Sequence, residues 1–226
     1  NIITLGNKRN SNYVLKKIHK IKDNLSEITI KNKNELFTFK VRTNLYHQIY
    51  NITICFIIFK YNHLDLEIFY KNSKIVPKVE GRGLEKNIIF NNKKIRFIDE
   101  SYNASPETMK ICIEYFYGLK IEQNQKKFLI LGDMNELGKN SKKYHEKIIN
   151  KILDYNFDNV ILCGEFFKSV LNNIKIKKNN IYYISDEDGI IKFLSKKIHN
   201  NDTILIKGSN STKVNNLANI LNANME

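Results

Sequence analysis

The sequence predicts an α/β fold with a Rossmann-like, mostly parallel sheet after about residue 93. From Lys93 onward, short runs rich in β-branched residues alternate with helical patterns, as expected where crossover helices connect parallel strands. Three of these runs end in glycine, in LILGD, VILCG and ILIKG, where the backbone can turn sharply. The carboxyl edge of the predicted sheet is therefore crowded with turns.

The elements of this domain alternate in order along the chain. The expected strands cover residues 94–98, 128–131, 160–163, 181–184 and 204–206. The expected helices cover residues 106–117, 141–155, 165–171, 187–199 and 211–221. The first helix has a clear start, because Ser105 can cap it and Pro106 suits its first turn. We therefore assign residues 93–226 to one domain.

The pattern differs before residue 93. Two strand-like stretches and an apolar helix are followed by a connector, at residues 27–31, 36–41, 47–61 and 72–86. With so few paired strands, residues 1–80 are expected to complete a sheet that begins upstream of Asn1. Residues 81–92, which open with the triplet Gly81-Arg82-Gly83, are expected to form the linker and the entry to the last domain.

Composition indicates an ordinary globular chain that can bury a sizeable core, with 226 residues of which 42% are hydrophobic. The longest apolar run, residues 52–59, is far shorter than the roughly 18 residues of a membrane span. No leader pattern follows Asn1. Cys55, Cys112 and Cys163 stand singly in apolar runs, which favours buried thiols in a reducing cytoplasm and predicts no metal site.

The formal net charge of +14 raises the possibility of a basic domain that binds nucleic acid. The lysines, however, are spread along the whole chain among many Asn and Ile residues, which favours a compositional bias. No helix-turn-helix, zinc or RNA-binding aromatic signature accompanies the charge. We therefore expect no nucleic-acid partner, although a phosphate-rich small ligand is compatible with a basic protein.

Polar residues are concentrated where the first strand of the last domain gives way to its helix, in IDESYNASP at residues 98–106. The side chains of Asp99, Glu100, Tyr102 and Asn103 are expected at the carboxyl end of a strand, where open α/β sheets bind ligands. Tyr102 and Asn103 also have a purely structural interpretation, as residues of a tight turn.

The stretch GDMNELGKNS, from Gly132 to Ser141, is the nearest approach to a phosphate-binding loop. A Walker A loop has four residues between its glycines and a Ser or Thr after its lysine. Here five residues intervene between the glycines, and Asn140 follows Lys139. Any triphosphate cradle is therefore expected outside these residues.

Several stretches, taken together and in order, resemble the Mur ligase family. They are LYHQIYN (45–51), GRG (81–83), FIDESYNASPETM (97–109), KFLILGDMNELG (127–138), Tyr144-His145 and ILIKGSNS (204–211). The resemblance extends from about residue 27 to 221. The SYNA core is most similar to the members that join D-alanyl-D-alanine to UDP-N-acetylmuramoyl-tripeptide.

This resemblance implies a three-domain, ATP-dependent amide ligase of peptidoglycan synthesis, which acts in the cytoplasm as a monomer. Residues 1–80 would be the end of the central ATP-binding domain, and residues 93–226 would be the Rossmann-like carboxyl-terminal domain. ATP and Mg²⁺ are the implied cofactors, with most of their ligands in a missing amino-terminal part. UDP-N-acetylmuramoyl-tripeptide and D-alanyl-D-alanine are the implied substrates. The segment alone is expected to be inactive.

The resemblance also implies nucleotide contacts. His47 and Asn51 would lie at the adenine, Arg82 at the ribose or the phosphates, and Asp99 or Glu100 at the ribose hydroxyls. Each side chain suits its role, since guanidinium binds phosphate oxygens and a carboxylate accepts from vicinal hydroxyls. Taken alone, His47 and Asn51 could equally be ordinary surface residues. The glycines beside Arg82 suggest a flexible linker and not a packed site.

Further roles are implied at the carboxyl edge of the sheet. The implied catalytic residues are Tyr102, Asn103, His145 and Lys207. The implied substrate-binding residues are Asn103, Asp133, Lys207 and Ser209. Two of them have structural alternatives, because Asp133 could cap the turn that follows it and His145 could be a satisfied surface histidine.

The sequence departs from the family pattern at Leu45, Glu100, Ser105 and Asn210, where glycine, aspartate, asparagine and arginine are usual. Asn210 removes a cation, which bears on recognition of the dipeptide carboxylate. A divergent remnant of the same fold, which binds a nucleotide or a partner without catalysis, is therefore a rival hypothesis.

Overall fold

The computed structural model describes residues 2–8, 10–22, 25–44, 46–75, 79–174 and 178–223, without the side chain of His47. The chain divides into two compact units, Asn1–Pro77 and Lys78–Glu226. We refer to them as unit 1 and unit 2. Each has its own hydrophobic core.

Unit 1 pairs a small sheet with two helices. Its described strands are β1 (Leu5–Gly6), β2 (Tyr13–Lys22), β3 (Leu25–Asn32) and β4 (Glu35–Val41), and its helices are α1 (Tyr46–Tyr61) and α2 (Leu66–Asn72). The sheet order is β1-β2-β3-β4, with β1 parallel to β2 and the other pairs antiparallel. Phe56 is fully buried and contacts Phe39 and Phe69 in the core.

The expected strands at 27–31 and 36–41 and the helix at 47–61 are confirmed, with slightly different ends. The interpretation that this region has too few paired strands was wrong, because β1 and β2 extend the sheet to four strands. Only the first three residues of β2 are buried, and the remainder is rich in lysine and exposed except for the half-buried Ile18. A strand with so few buried positions gives little alternating signal.

Unit 2 contains a six-stranded, mostly parallel sheet with helices on both faces. Its described strands are β5 (Leu84–Phe90), β6 (Lys93–Glu100), β7 (Lys127–Gly132), β8 (Asn159–Cys163), β9 (Ile181–Tyr183) and β10 (Thr203–Lys207). Its helices are α3 (Pro106–Gly118), α4 (Ser141–Leu153), α5 (Glu165–Leu171), α6 (Glu187–Lys197) and α7 (Lys213–Ala223), with a short 3-10 turn at Gly138–Asn140. The predicted α/β class and its parallel sheet are confirmed.

The strand order is β5-β6-β10-β7-β8-β9. The last strand, β10, therefore lies between β6 and β7 and pairs with both in parallel. Lys207 at its end lies opposite Glu100 of β6 and Leu131 of β7. One core packs the sheet against α3, α4 and α5, and the other packs it against α6 and α7.

Strand β5 corrects the expected connector over residues 72–86, and it lies within residues 81–92, the expected linker and entry to the last domain. Leu84–Phe90 pairs with β6 in antiparallel register, with Phe90 opposite Lys93. Asn91 and Asn92, with φ of 49° and 59°, form the two-residue turn between them. Positive φ at both positions is typical of a type I′ hairpin turn, which asparagine tolerates. Residues 76–78, including Pro77, lie outside the described part of the chain.

The described helices include none that is both long and apolar enough to cross a membrane. In the part of the chain that the structure describes, no three or more His, Cys, Asp or Glu side chains form a cluster that could hold a metal ion. Cys112 and Cys163 are buried in unit 2 as free thiols, as expected, whereas Cys55 is exposed on α1.

Candidate functional site

Three loops meet at the carboxyl edge of the sheet of unit 2, because β6, β10 and β7 are neighbours and all end there. The loop after β6 contains Tyr102 and Asn103, and the loop after β7 begins at Asp133. The loop after β10 contains Ser209. Sheet topology therefore brings together residues that are about a hundred positions apart in sequence.

Lys207 connects two of these loops. Its side chain is only 3% exposed, and Nζ donates a hydrogen bond of 2.8 Å to the carbonyl oxygen of Asn103. The same Nζ lies 3.5 Å from Oε2 of Glu100, which is also buried. A buried ammonium needs such partners, since an uncompensated buried charge is costly. Lys207 thereby fixes the loop after β6 to the end of β10.

Ser209 connects the loop after β10 to the loop after β7. Its N–H donates to the carbonyl oxygen of Asp133 at 3.1 Å, and its Oγ accepts from the N–H of Asn135 at 2.9 Å. Asn135 Nδ2 in turn donates to Ser211 Oγ at 2.7 Å. These bonds hold the two loops in one arrangement at the predicted substrate edge.

Asp133 was expected to cap the turn that directly follows it, but its carboxylate instead caps helix α5. Its Oδ2 accepts from the N–H of Phe166 at 3.0 Å, and its Oδ1 accepts from the N–H of Phe167 at 3.1 Å. These are first-turn amides of α5, which otherwise lack helical partners. Gly164 before the helix has φ of 123°, and a Cβ there would lie 2.3 Å from the carboxyl carbon of Asp133. Substrate binding by Asp133 stays a prediction.

His145 is fully buried, so the interpretation as a surface histidine was wrong. Its Nε2 accepts from the N–H of Met134 at 3.0 Å, and therefore Nδ1 carries the proton and donates to the carbonyl oxygen of Ser141 at 2.7 Å. Burial lowers the pKa of His145 below its usual 6.5, although the Ser141 bond and the charge of Asp133 oppose that shift. A neutral, enclosed ring with both nitrogens engaged favours positioning of the 133–141 loop over direct catalysis.

Asp99, predicted at the ribose hydroxyls, is 1% exposed and accepts four hydrogen bonds from within unit 2. The donors are the Gly81 N–H, the Ser101 N–H, the Ser101 Oγ and Asn222 Nδ2, at 3.1, 3.0, 2.7 and 2.9 Å. Both carboxylate oxygens are therefore engaged, and the geometry favours a structural role for Asp99. Glu100, the other ribose candidate, lies beside Lys207.

The triplet Gly81-Arg82-Gly83 is packed, so the interpretation of a flexible linker was wrong. Gly81 and Gly83 have φ of 71° and 79°, a region that glycine adopts without strain. The N–H of Gly83 donates to the carbonyl oxygen of Asp99 at 2.8 Å, and the N–H of Tyr102 donates to that of Gly81 at 3.0 Å. The guanidinium of Arg82 lies 4.4 Å from the centre of the Tyr102 ring.

Helix α3 begins as its sequence predicts. Ser105 Oγ accepts from the N–H of Thr108, Thr108 returns a bond to the N–H of Ser105, and Pro106 occupies the first turn. Serine in place of the usual asparagine therefore retains the cap. Asn103 is exposed, and its Oδ1 accepts from the N–H of Ala104 at 2.8 Å.

The two residues predicted at the adenine lie on α1 of unit 1. Asn51 is exposed there, whereas the side chain of His47 lies outside the described part of the structure. In unit 2, the stretch Gly132–Ser141 does not form a Walker A loop. It passes through the 3-10 turn into α4, and its amides at Met134 and Asn135 are bonded to His145 and Ser209.

Sequence reasoning did not single out Asn135 or Asn222, and it marked Gly164, in VILCG, only as a turn after a strand. The glycine in VILCG was a usable signal, since a glycine directly after a strand marks close backbone approach. Asn222 had no signal, because it lies near the end of α7 and its bond to Asp99 spans 123 residues.

Comparison with known proteins places these features in a family. Residues 87–210 match the family model described as Mur ligase, glutamate ligase domain. A UDP-N-acetylmuramoyl-tripeptide–D-alanyl-D-alanine ligase of Rickettsia prowazekii is 33% identical over 153 residues, which are 68% of this chain and 32% of that protein. The ligase of the same name from Buchnera aphidicola subsp. Baizongia pistaciae is 33% identical over 171 residues, which are 75% of this chain and 35% of that protein.

The fold also matches solved structures. The crystal structure of the MurF ligase of Thermotoga maritima, in complex with ADP, has a TM-score of 0.75 at 21% identity, covering 98% of this chain and 48% of that one. By contrast, the chain spans about a third of the length of the two curated ligases from Rickettsia prowazekii and Buchnera aphidicola. The family match extends over residues 87–210, more than half of the sequence, and we conclude that the chain belongs to the Mur ligase family.

Proposed function

We propose that these residues are the carboxyl-terminal portion of an ATP-dependent ligase that joins D-alanyl-D-alanine to UDP-N-acetylmuramoyl-tripeptide in peptidoglycan precursor synthesis. The observation that carries the proposal is the meeting of three loops at one sheet edge, joined by Lys207 to Asn103 and by Ser209 to Asn135. The curated relatives bear the name of this activity. The enzyme is proposed to act in the cytoplasm as a monomer.

The chemistry suits a protein that mainly positions its reactants. Such a ligase phosphorylates a carboxylate, and the amine of the dipeptide then attacks the acyl phosphate to form a tetrahedral intermediate, which collapses to the amide and expels phosphate. The edge formed by the loops after β6, β7 and β10 is proposed to hold the dipeptide. Its exposed polar side chains include Asn103 and Asn210. Hydrogen bonds within the protein, such as those of Lys207 and Ser209, already fix the arrangement of the loops before the substrate binds.

The residues of unit 2 fit a nucleotide in part. Arg82 is exposed and held over Tyr102, where its guanidinium suits a phosphate or the ribose. Asp99 fits poorly, since its oxygens are already engaged, which leaves Glu100, buried beside Lys207, as the remaining ribose candidate of this unit. When bound, ATP would supply the phosphoryl group. The Thermotoga maritima relative was solved with ADP. Mg²⁺ stays a proposed cofactor, with most of its ligands outside these residues.

The rival proposal is a non-catalytic remnant of the same fold. It draws on Asn210, which is exposed at the proposed dipeptide edge where an arginine is common. An amide cannot pair with a carboxylate as a guanidinium does. The two proposals differ in whether the complete protein turns over substrate.

The test is a phosphate-release assay with ATP, Mg²⁺, UDP-linked tripeptide and D-alanyl-D-alanine. It should be run on residues 1–226 and on a chain extended by sugar-binding and phosphate-loop domains. We expect release only from the extended chain, and only with the dipeptide present, because domain closure must bring acyl phosphate and amine together. Dipeptide-dependent phosphate release by residues 1–226 would refute the expectation that this segment is inactive without the sugar-binding and phosphate-loop domains. An inactive but folded extended chain would favour the remnant.

A further inference from the structure

The guanidinium of Arg82 lies over the ring of Tyr102 on the surface of unit 2. The guanidinium lies 4.4 Å from the ring centre, well inside the roughly 6 Å range of a cation–π contact. Both side chains are exposed, and 45% of the tyrosine surface is accessible. A large aromatic side chain left exposed next to a cation is available to a ligand that approaches the same surface.

The backbone beneath this pair is unusually well fixed. The carbonyl oxygen of Gly81 accepts from the N–H of Tyr102, while the N–H of Gly81 donates to the carboxylate of Asp99. Gly81 is itself buried, and a Cβ there would lie 2.7 Å from the Cβ of Tyr102. Arg82 and Tyr102 therefore project from two segments that are bonded to each other, so their separation is set by the fold.

We propose that the ring of Tyr102 stacks on the face of the Arg82 guanidinium and acts as a positioning residue that orients this group toward the nucleotide. This inference rests on the proposed function, in which Arg82 contacts the ribose or the phosphates. A ring stacked on the face of a guanidinium fixes the plane of the group, whereas the N–H donors point outward within that plane. Stacking thus restricts the long arginine side chain without using its donors, which lowers the entropy cost of binding an anion.

The proposal differs from a catalytic role for Tyr102 in the part of the side chain that it needs. A catalytic tyrosine requires its hydroxyl, whereas stacking requires only the ring. Phenylalanine keeps the ring and removes the hydroxyl, and leucine removes both functions while it retains an apolar body. Tyr102→Phe and Tyr102→Leu are therefore matched variants that separate the two roles.

The first test is independent of ATP and uses residues 1–226 as they are. The sequence has only four arginines, Arg9, Arg42, Arg82 and Arg96, so the Nε–Hε signals in an NMR spectrum can be assigned with Arg82→Lys. We expect the Arg82 signal to be shifted by the ring current in the parent and in Tyr102→Phe, and to move to a random-coil position in Tyr102→Leu. An unchanged signal in Tyr102→Leu would overturn the stacking.

The second test measures the KM for ATP in a complete ligase that contains this segment. We expect Tyr102→Leu to raise that KM about two- to fivefold, as for an exposed cation–π pair, with little change in kcat or in the KM for dipeptide. Tyr102→Phe should remain within twofold of the parent. In an Arg82→Ala background, Tyr102→Leu should have no further effect, because its partner is already gone.

Each remaining outcome contradicts the proposal in a different way. If Tyr102→Phe is as defective as Tyr102→Leu, the hydroxyl carries the function. If the leucine penalty persists in Arg82→Ala, Tyr102 contacts the substrate itself. If the complete protein does not use ATP, the proposed function fails together with the positioning role, whereas the NMR result still reports whether the two side chains stack.

Discussion

The Nζ of Lys207 lies 2.8 Å from the carbonyl oxygen of Asn103 and so bonds the central strand β10 to the loop after its neighbour β6. The carboxylate of Glu100 lies 3.5 Å from the same nitrogen. The side chains of Lys207 and Glu100 are both buried. This contact sets the relative position of two loops that the proposed function assigns to the substrates.

Replacing Lys207 by methionine should therefore destabilise unit 2. We expect a loss of about 3 kcal/mol in the free energy of unfolding, because a buried carboxylate would lose its ammonium partner. Adding Glu100→Gln to the same chain should restore part of that loss by removing the uncompensated charge. Urea denaturation of the single and double variants measures both effects. A double variant no more stable than Lys207→Met would show that the charge pair is not the cause.

Gly164→Ala should displace the Asp133 cap from α5. The new Cβ would lie 2.3 Å from the carboxyl carbon of Asp133, at a φ of 123° that disfavours any side chain. We expect a loss of about 1–3 kcal/mol. Gly118→Ala, at the end of α3, is the matched control, since nothing lies within 4 Å of its Cβ. Similar melting temperatures for the two variants would contradict the close approach of Asp133.

The stability of unit 2 should fall in mild acid because of His145. Burial lowers the pKa of this histidine below 6.5, so the unfolded chain binds the proton more readily than the folded one. The contribution is therefore complete above about pH 6.5 and is lost as the pH falls toward the lowered pKa. Asp133 faces the ring at 3.5 Å and moderates the effect.

Urea denaturation at pH 7.5 and pH 5.5 tests this expectation. His145→Gln cannot titrate, so it should lose less stability between the two pH values than the parent. Identical slopes for the parent and His145→Gln would assign the acid sensitivity to other groups.

Residues 79–226 should fold alone, whereas residues 93–226 should be much less stable. The shorter chain lacks β5, and with it the buried side chains of Ile88 and Phe90. Burial of two such side chains contributes about 3–6 kcal/mol. Thermal melting of both polypeptides measures the difference, with Ile88→Ala in residues 79–226 expected to fall between them. Equal stability would show that β5 is dispensable.

The alternating elements after residue 93 could be predicted because each strand there is an apolar run and each helix has an amphipathic pattern. Strand β5 could not be separated from the adjacent Gly81-Arg82-Gly83 triplet, although the Asn91-Asn92 turn was a hairpin signal. Strand β2 was missed because most of it is exposed. Local pattern thus identified most elements with buried faces, but it missed the largely exposed strand β2 and strand β5 beside a glycine-rich stretch.

The sequence could nominate residues for the candidate site but could not give their contacts. The family resemblance selected Asp99, His145 and Lys207, yet their roles depend on partners far away in sequence. Asn222 bonds to Asp99 across 123 residues, and Lys207 bonds to Asn103 across 104. Such distant pairings follow from the strand order, which no local pattern in the sequence encodes.

The central place of β10 has a consequence for the order in which unit 2 can form. Strands β6 and β7 are made early, but neither can complete its pairing until residues 203–207 have been synthesised. Asp202, fully buried, then joins the amino end of the sheet by accepting from the N–H of Lys126, while the N–H of Arg96 donates to its carbonyl oxygen. A nascent chain that stops before residue 203 would present two unpaired strand edges, so synthesis leaves this unit prone to aggregation until its last strand is inserted.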